Sequence, residues 1–330
     1  MKDDYDMLSP TAIHTVFHKD ELFAAMALLY DIGTPLKSRF VSNGLNDTYA
    51  VDTDTGKYVL RIYKHNWRTE SDILFELDLL DFLKGCDLPV SHPIARRDGG
   101  WLTELNAPEG VRYAALFSYA YGTGKVDLET SRTYGSAIAE LHGAMDRYEP
   151  RHKRFELDAK HLLDEPLAQL LPFLQHRPDD IKLVEDIAGR LSKHLASAAD
   201  GAYDWGVCHG DLHGWNVFHT ADGGLTHFDF DCCGIGWRSY DLSVYLWDLV
   251  HGKEDGFKHE CWDAFIEAYM AERPLSQQDL ALIPVFVAVR QLWLMGLHTG
   301  RSGIWGAWQD DGYFDGKLKF LSAWVQAHEL

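Results

Sequence analysis

Basic side chains are scarce in this chain of 330 residues: Lys plus Arg number 31 against 50 Asp plus Glu, a formal charge of −19. A nucleic-acid surface needs a basic footprint, and so does docking on anionic lipid, so the balance excludes both as the main business. Cysteine is also sparse. Five residues, Cys86, Cys208, Cys232, Cys233 and Cys261, form an odd set with one adjacent pair; that is a poor disulfide framework and suits reduced thiols. No run approaches the roughly 18 uncharged apolar residues of a membrane span. The first ten residues carry Asp3, Asp4 and Asp6, whereas targeting peptides open with positive charge. A cytoplasmic protein is the expectation. Repeats of 20–50 residues and low-complexity tracts are likewise missing.

What is there falls into two parts. The first mixes short strands with helices. Glu21 to Tyr30 is helical in composition, and Thr48–Val51 and Tyr58–Tyr63 read as strands joined by the turn Asp52–Gly56. Thr69 to Lys84 has helical period. Tyr113 to Ser118 is a further strand, and a hinge-like loop follows near 119–125. The second part is helical: Asp127–Tyr148, Asp179–Ala199, His259–Glu272, Ser276–His298 and Phe314–Glu329 are long helix candidates. Its strand-and-loop region spans Val207 to Trp237. With 46% apolar and 13% aromatic residues, the chain has material for a real core in both parts.

The densest chemistry lies in that strand-and-loop region. Asp211 and Asn216 stand five positions apart in His209-Gly-Asp-Leu-His213-Gly-Trp-Asn216, and Asp229 follows after a Gly223-Gly224 turn. Phosphoryl transfer to a hydroxyl needs a carboxylate beside the acceptor and oxygen ligands for Mg²⁺ on the nucleotide phosphates. Asp211 is the candidate for the first, and Asn216 and Asp229 for the second. Asp231 is a candidate metal assistant or loop acceptor. The histidines and cysteines here match no paired zinc-ligand spacing, and His209 and His213 are read as supports of the loop.

These residues resemble the aminoglycoside phosphotransferase and choline kinase superfamily, similar in fold to protein kinases. His209-Gly210-Asp211-x-His213-x-x-Asn216 matches its H-G-D-x-H-x-x-N motif, and Phe228-Asp229-Phe230-Asp231 resembles its metal segment. The resemblance implies an α+β, protein-kinase-like two-lobed fold, with a small β-rich nucleotide-binding lobe (1–118) and a larger, mainly helical catalytic and substrate lobe (119–330). It implies that Asp241, in Tyr240-Asp241-Leu242, braces the catalytic loop. It also implies ATP and Mg²⁺ as cofactors and a small hydroxylated acceptor: an amino sugar, an amino alcohol or a homoserine-type amino acid. A protein Ser/Thr kinase and a silent nucleotide binder are the alternatives on the same fold.

Strand alternation puts Val59, Arg61 and Tyr63 on one face. The resemblance makes Arg61, in place of the usual Lys, the cation for the α/β-phosphates. Lys57 and Lys64 read as solvated strand ends. Glu76 sits among Ile73, Leu79, Leu80 and Leu83, where a carboxylate is costly unless paired; Arg61 is its expected partner, with Glu70 as the alternative carboxylate. The stretch Ser42–Asp47 lacks G-x-G-x-x-G, yet Asn43, Gly44, Asn46 and Thr48 would offer amides and short polar groups above the phosphates. Phe117 and Tyr119 mark the lobe connection, where the main chain would meet adenine. On the acceptor side Arg290 faces either the acceptor or a core ion pair. The segment Gly300–Gly316, rich in Trp and Asp, would suit a cationic acceptor through Asp310, Asp311 and Asp315.

Overall fold

A computed structural model describes residues 10–199, 203–251 and 259–330. By its own contacts the chain divides into two compact units, residues 1–77 with 92–119, and residues 78–91 with 120–330. The stretch 78–91, assigned from sequence to the first lobe, thus packs with the second unit. The fold class is α+β: an antiparallel sheet in the N-terminal part and helices in the C-terminal part.

The first unit opens with helix α1 (Lys19–Leu29) and three meandering strands, β1 (Pro35–Asn43), β2 (Asn46–Thr53) and β3 (Lys57–Tyr63). Helix α2 (Glu70–Gly85) and strands β4 (Leu102–Ala107) and β5 (Gly110–Ser118) follow. The sheet order is β1-β2-β3-β5-β4, antiparallel throughout. Alternation along the strands sends Tyr49 and Val51, Leu60 and Ile62, and Ala114 and Leu116 to one face, where Leu22, Phe23 and Met26 of α1 close over them. The turn between β1 and β2 shrinks to Gly44-Leu45, because Asn43 pairs with Asp47 and Ser42 with Thr48. The polar stretch Ser42–Asp47 is therefore largely strand. Asp47 is fully buried and paired with Arg112 (2.7 Å), as a buried carboxylate must be.

In the second unit α3 (Leu128–Met145) starts at a capping box, the Asp127 side chain accepting from Thr130 N–H and the Thr130 hydroxyl from Asp127 N–H. It packs on α7 (His259–Glu272), closely enough that a Cβ on Gly135 would stand 2.1 Å from the Phe265 carbonyl oxygen. Between them in sequence come β6 (Glu156–Leu157), α4 (Glu165–Leu170), α5 (Pro178–Ala199), β7 (Trp205–Cys208), the hairpin β8 (Val217–His219) and β9 (Leu225–His227), β10 (Gly234–Trp237) and α6 (Arg238–Val250). Strand β10 runs antiparallel to β7 and parallel to β6. Helix α8 (Gln277–Gly300) is followed by the short α9 (Ser302–Trp305) and by α10 (Asp311–Ala327). Among the described residues α8 is the one helix long and apolar enough to cross a membrane, and it is mostly buried against α4, α5 and α6. It carries Arg290 and Gln291 inside. All five cysteines are free thiols.

Candidate active site

The candidate catalytic loop leaves β7 at Cys208 and returns through β8 at Val217. Its first turn is held by α6. Asp241 Oδ2 accepts the His209 N–H (2.6 Å), and Oδ1 accepts the Gly210 N–H (2.7 Å). His142 of α3 adds Nε2 at 3.1 Å to the same carboxylate and takes the Tyr269 hydroxyl at Nδ1 (2.9 Å). Burial raises the Asp241 pKa, while His209 and these two N–H groups pull it back toward the charged form. Gly210 adopts φ +80°, and a Cβ there would lie 2.1 Å from the Cys232 carbonyl oxygen, so both conformation and space demand glycine. One α-helical heptad after Asp241, Asp248 accepts the Gly214 N–H (3.1 Å) and so holds the loop's other end. Two carboxylates seven residues apart lie on one helix face; that spacing was readable in the sequence, but only the fold shows what it grips.

Asp211 lies between these two anchors. Its Oδ1 forms an ion pair with Arg290 Nη2, while Oδ2 accepts Asn216 Nδ2 (3.1 Å) and lies 3.4 Å from His213 Nε2. Burial alone would raise its pKa; His213 and Arg290 outweigh that and hold the carboxyl far below the usual range. Asp211 is therefore an anion at any physiological pH. His213 shows the reciprocal effect: burial lowers its pKa, the Asp211 charge more than offsets this, and the net shift is upward. His209 is fully buried, donates from Nε2 to the Phe228 carbonyl (3.1 Å) and accepts the Asp211 N–H at Nδ1 (3.3 Å). Arg290, left open between two settings, is both a core residue and the partner of Asp211. Its guanidinium also reaches the Tyr240 hydroxyl (3.3 Å) and lies over the rings of Trp293 (4.4 Å) and Trp247 (5.5 Å).

Asn216 Nδ2 donates also to the Asp211 carbonyl (2.9 Å). This anchors the amide nitrogen and leaves its Oδ1 without a hydrogen bond among the described residues. Asp229 is exposed and takes φ 66°, ψ 57°, the left-handed conformation that Asp tolerates better than most residues. The backbone beyond it is clamped by Arg154, whose guanidinium donates to the carbonyls of Asp231 and Cys233; Asp231 itself is buried. Asn216 and Asp229 offer hard oxygen donors that fit Mg²⁺ or Ca²⁺ completed by phosphate oxygens. Among the described residues no three His, Cys, Asp or Glu side chains converge as a metal cage.

In the first unit Arg61 forms an ion pair with Glu76 of α2, which is fully buried and also accepts the Tyr63 hydroxyl (2.9 Å). Glu70 opens α2. The Arg61 guanidinium lies 5.0 Å from the Phe117 ring centroid, and Lys57 lies over Tyr119 (5.8 Å). Lys64 is buried rather than solvated and donates to Asn43 Oδ1 (2.6 Å). Asn46 is buried as well, whereas Thr48 is half-buried and Gly44 exposed. The three aspartates expected at a cationic acceptor have other work. Asp310 caps α10 by accepting the Tyr313 N–H (2.9 Å), and Asp311 and Asp315 pair with Arg177, Asp311 also with His176 (2.8 Å).

Residues 38–275 match the model of the phosphotransferase enzyme family. The chain belongs to that family. It is an enzyme of the small-molecule phosphotransferase class, with a hydroxyl group as acceptor. An uncharacterized protein of Deinococcus radiodurans is 38% identical over 96% of this chain and 93% of its own length. The homoserine kinase of Rhizobium etli is 30% identical over 83% of each chain. Among solved structures, an amicoumacin kinase in complex with AMP-PNP and Ca²⁺ superposes with a TM-score of 0.75 at 21% identity, over 95% of this chain and 93% of that one. That likeness establishes the kinase-like fold.

Proposed function

We propose that this enzyme transfers the γ-phosphoryl group of ATP to a hydroxyl of a small amino-bearing molecule, with Asp211 as the group that meets the acceptor. The observation that carries this reading is the Asp211 carboxylate, ionised and fixed in orientation by Arg290, Asn216 and His213. Oδ1 spends one lone pair on Arg290 and keeps another for an acceptor O–H. In a loose transition state the hydroxyl proton leaves late, so position and charge matter more than base strength. A carboxyl held far below its usual pKa suits that demand. Mg²⁺ held by Asn216 and Asp229 would neutralise charge on the transferring phosphoryl group. Arg61, steadied by Glu76, is assigned to the α/β-phosphates, the Asn43–Thr48 hairpin to the phosphate oxygens, and the Phe117–Tyr119 main chain to adenine. His209, Asp231 and Asp241 are assigned to loop support. Five free cysteines and the use of ATP fit the cytoplasm.

The test is ATP consumption across amino sugars, choline, ethanolamine, homoserine and generic protein substrates, with Asp211→Asn and Asp229→Asn alongside. Turnover on a metabolite, lost by at least a thousandfold in Asp211→Asn while ATP binding persists, is expected. Phosphate appearing on a protein band and on no metabolite would replace the small-molecule acceptor. Unchanged turnover in Asp211→Asn would end the assignment of the site.

A further inference from the structure

In a chain with nineteen more acids than bases, a half-buried cation with no carboxylate beside it among the described residues is unexpected. Lys317 of α10 is such a cation. It forms no ion pair among the described residues; its Nζ donates to His251 Nε2 (2.8 Å) and lies over the Tyr313 ring (5.7 Å). The His251 ring stacks on Trp247 (4.5 Å, 21° between planes), and Trp247 is one of the two indoles against the Arg290 guanidinium. Gln291, next to Arg290, takes the Trp247 indole N–H (2.9 Å) and donates to the Lys317 carbonyl (3.3 Å). His298 completes the group: its Nδ1 meets the Tyr313 hydroxyl (2.8 Å), and its ring feels both the Lys317 and the Arg290 charge. These contacts run without a break from Asp211 to the ammonium.

The geometry points to Lys317 as the anchor for a carboxylate on the acceptor, in a subsite walled by His251, Trp247, His298 and Tyr313. It rests on the assignment of Asp211 to the acceptor hydroxyl. Asp211 cancels the Arg290 charge, so along this line of contacts Lys317 is the cation left without an acidic partner among the described residues. One ammonium matches a singly charged carboxylate rather than a phosphate dianion. Both neighbouring imidazoles are held neutral, burial and the Lys317 charge lowering each pKa to about 4, so they add polarity and not further charge. Burial lowers the Lys317 pKa to about 8, the mark of a desolvated ammonium that an incoming anion would stabilise. The acceptor class is thus a hydroxy acid, in particular a hydroxy amino acid, in preference to an amino sugar or amino alcohol.

Matched probes test it: homoserine against 3-aminopropan-1-ol, which is the same molecule without its carboxylate, and two further hydroxy amino acids against their decarboxylated counterparts. Binding by calorimetry in the presence of an ATP analogue and Mg²⁺ is read beside turnover with ATP. Wild type is expected to favour a carboxylated probe at least tenfold over its counterpart. Lys317→Met should collapse that ratio at least tenfold, by raising KM more than it lowers kcat, and Lys317→Arg should keep most of it. Carboxylate preference in binding that depends on Lys317 but comes without turnover would sustain the subsite and overturn the phosphotransfer reading. Turnover of the amino alcohol equal to that of its acid would do the reverse. No carboxylate preference in binding, absence of binding by every probe included, or a preference unchanged in Lys317→Met, overturns the subsite.

Discussion

Replacing Asp241 by Asn changes one atom of the side chain and should damage the catalytic loop more than its size suggests. Both carboxylate oxygens are acceptors for backbone N–H groups, at 2.6 and 2.7 Å, and the side chain is fully buried. An amide offers one oxygen, and its nitrogen would point hydrogens at a donor. One charge-assisted hydrogen bond, worth about 1.5–3 kcal/mol, is lost, and a buried N–H is left unsatisfied at about 1–3 kcal/mol more. Part of this relaxes through the His142 ring, which can turn its acceptor nitrogen toward the new amide. A net loss of about 2–4 kcal/mol is expected, read from equilibrium urea unfolding followed by tryptophan fluorescence. ATP hydrolysis without acceptor, which needs the loop but no knowledge of the acceptor, should fall with it, and Asp211→Asn gives the floor. Asp248→Asn, which disturbs a single loop bond, should cost less, about 1 kcal/mol. The reasoning fails if Asp241→Asn unfolds within 0.5 kcal/mol of wild type, by the ordinary scale of neutral surface changes, and keeps its hydrolysis rate.

Further outcomes follow from the same geometry. Removing the guanidinium in Arg290→Met takes away a charge that holds Asp211 ionised, so the acid limb of kcat/KM against pH should move upward; an unmoved limb would show that Arg290 does not tune the carboxylate. Gly210→Ala must strain a +80° φ and push a Cβ into the Cys232 carbonyl, a loss of about 3 kcal/mol or more in urea unfolding; a variant within 1 kcal/mol of wild type would contradict the packing. His251 and His298 titrate near 4 when folded and near 6.5 when unfolded. The unfolded chain therefore binds more protons between those values, and the stability present above pH 6.5 is lost as pH falls toward 4. Between pH 7 and 5 the pair should cost roughly 1 kcal/mol each after allowance for solvent screening, and His298→Gln should shallow that slope.

The loop motif and its Asp229 companion could be named before any coordinates because phosphoryl transfer needs fixed residue types at fixed short separations, which a linear sequence preserves. Helices such as α2, α3 and α8 were legible for a similar reason: apolar period and caps are local. Glu76 was legible by cost, since a carboxylate among leucines needs a cation, and Arg61 is the one it meets. The misreadings share a cause. Lys64 read as a solvated strand end because its type is polar, yet it is buried and donates to Asn43 Oδ1; Asn46, read as a polar group above the phosphates, is the first residue of β2 and is buried there. The aspartates of the Gly300–Gly316 segment looked available, and a distant Arg177 and a helix N-terminus had already claimed them.

The sequence by itself determined the chemical class of this protein, phosphotransfer to a hydroxyl, and named the candidate residues for it. Only tertiary structure decided which partners the charged side chains of the second unit meet. Arg290, Trp247, His251 and Lys317 come from three helices, α6, α8 and α10, and no local pattern couples them. Whether a cation finds a carboxylate depends on which distant side chains arrive beside it. Here, among the described residues, the Lys317 ammonium meets an imidazole and no carboxylate.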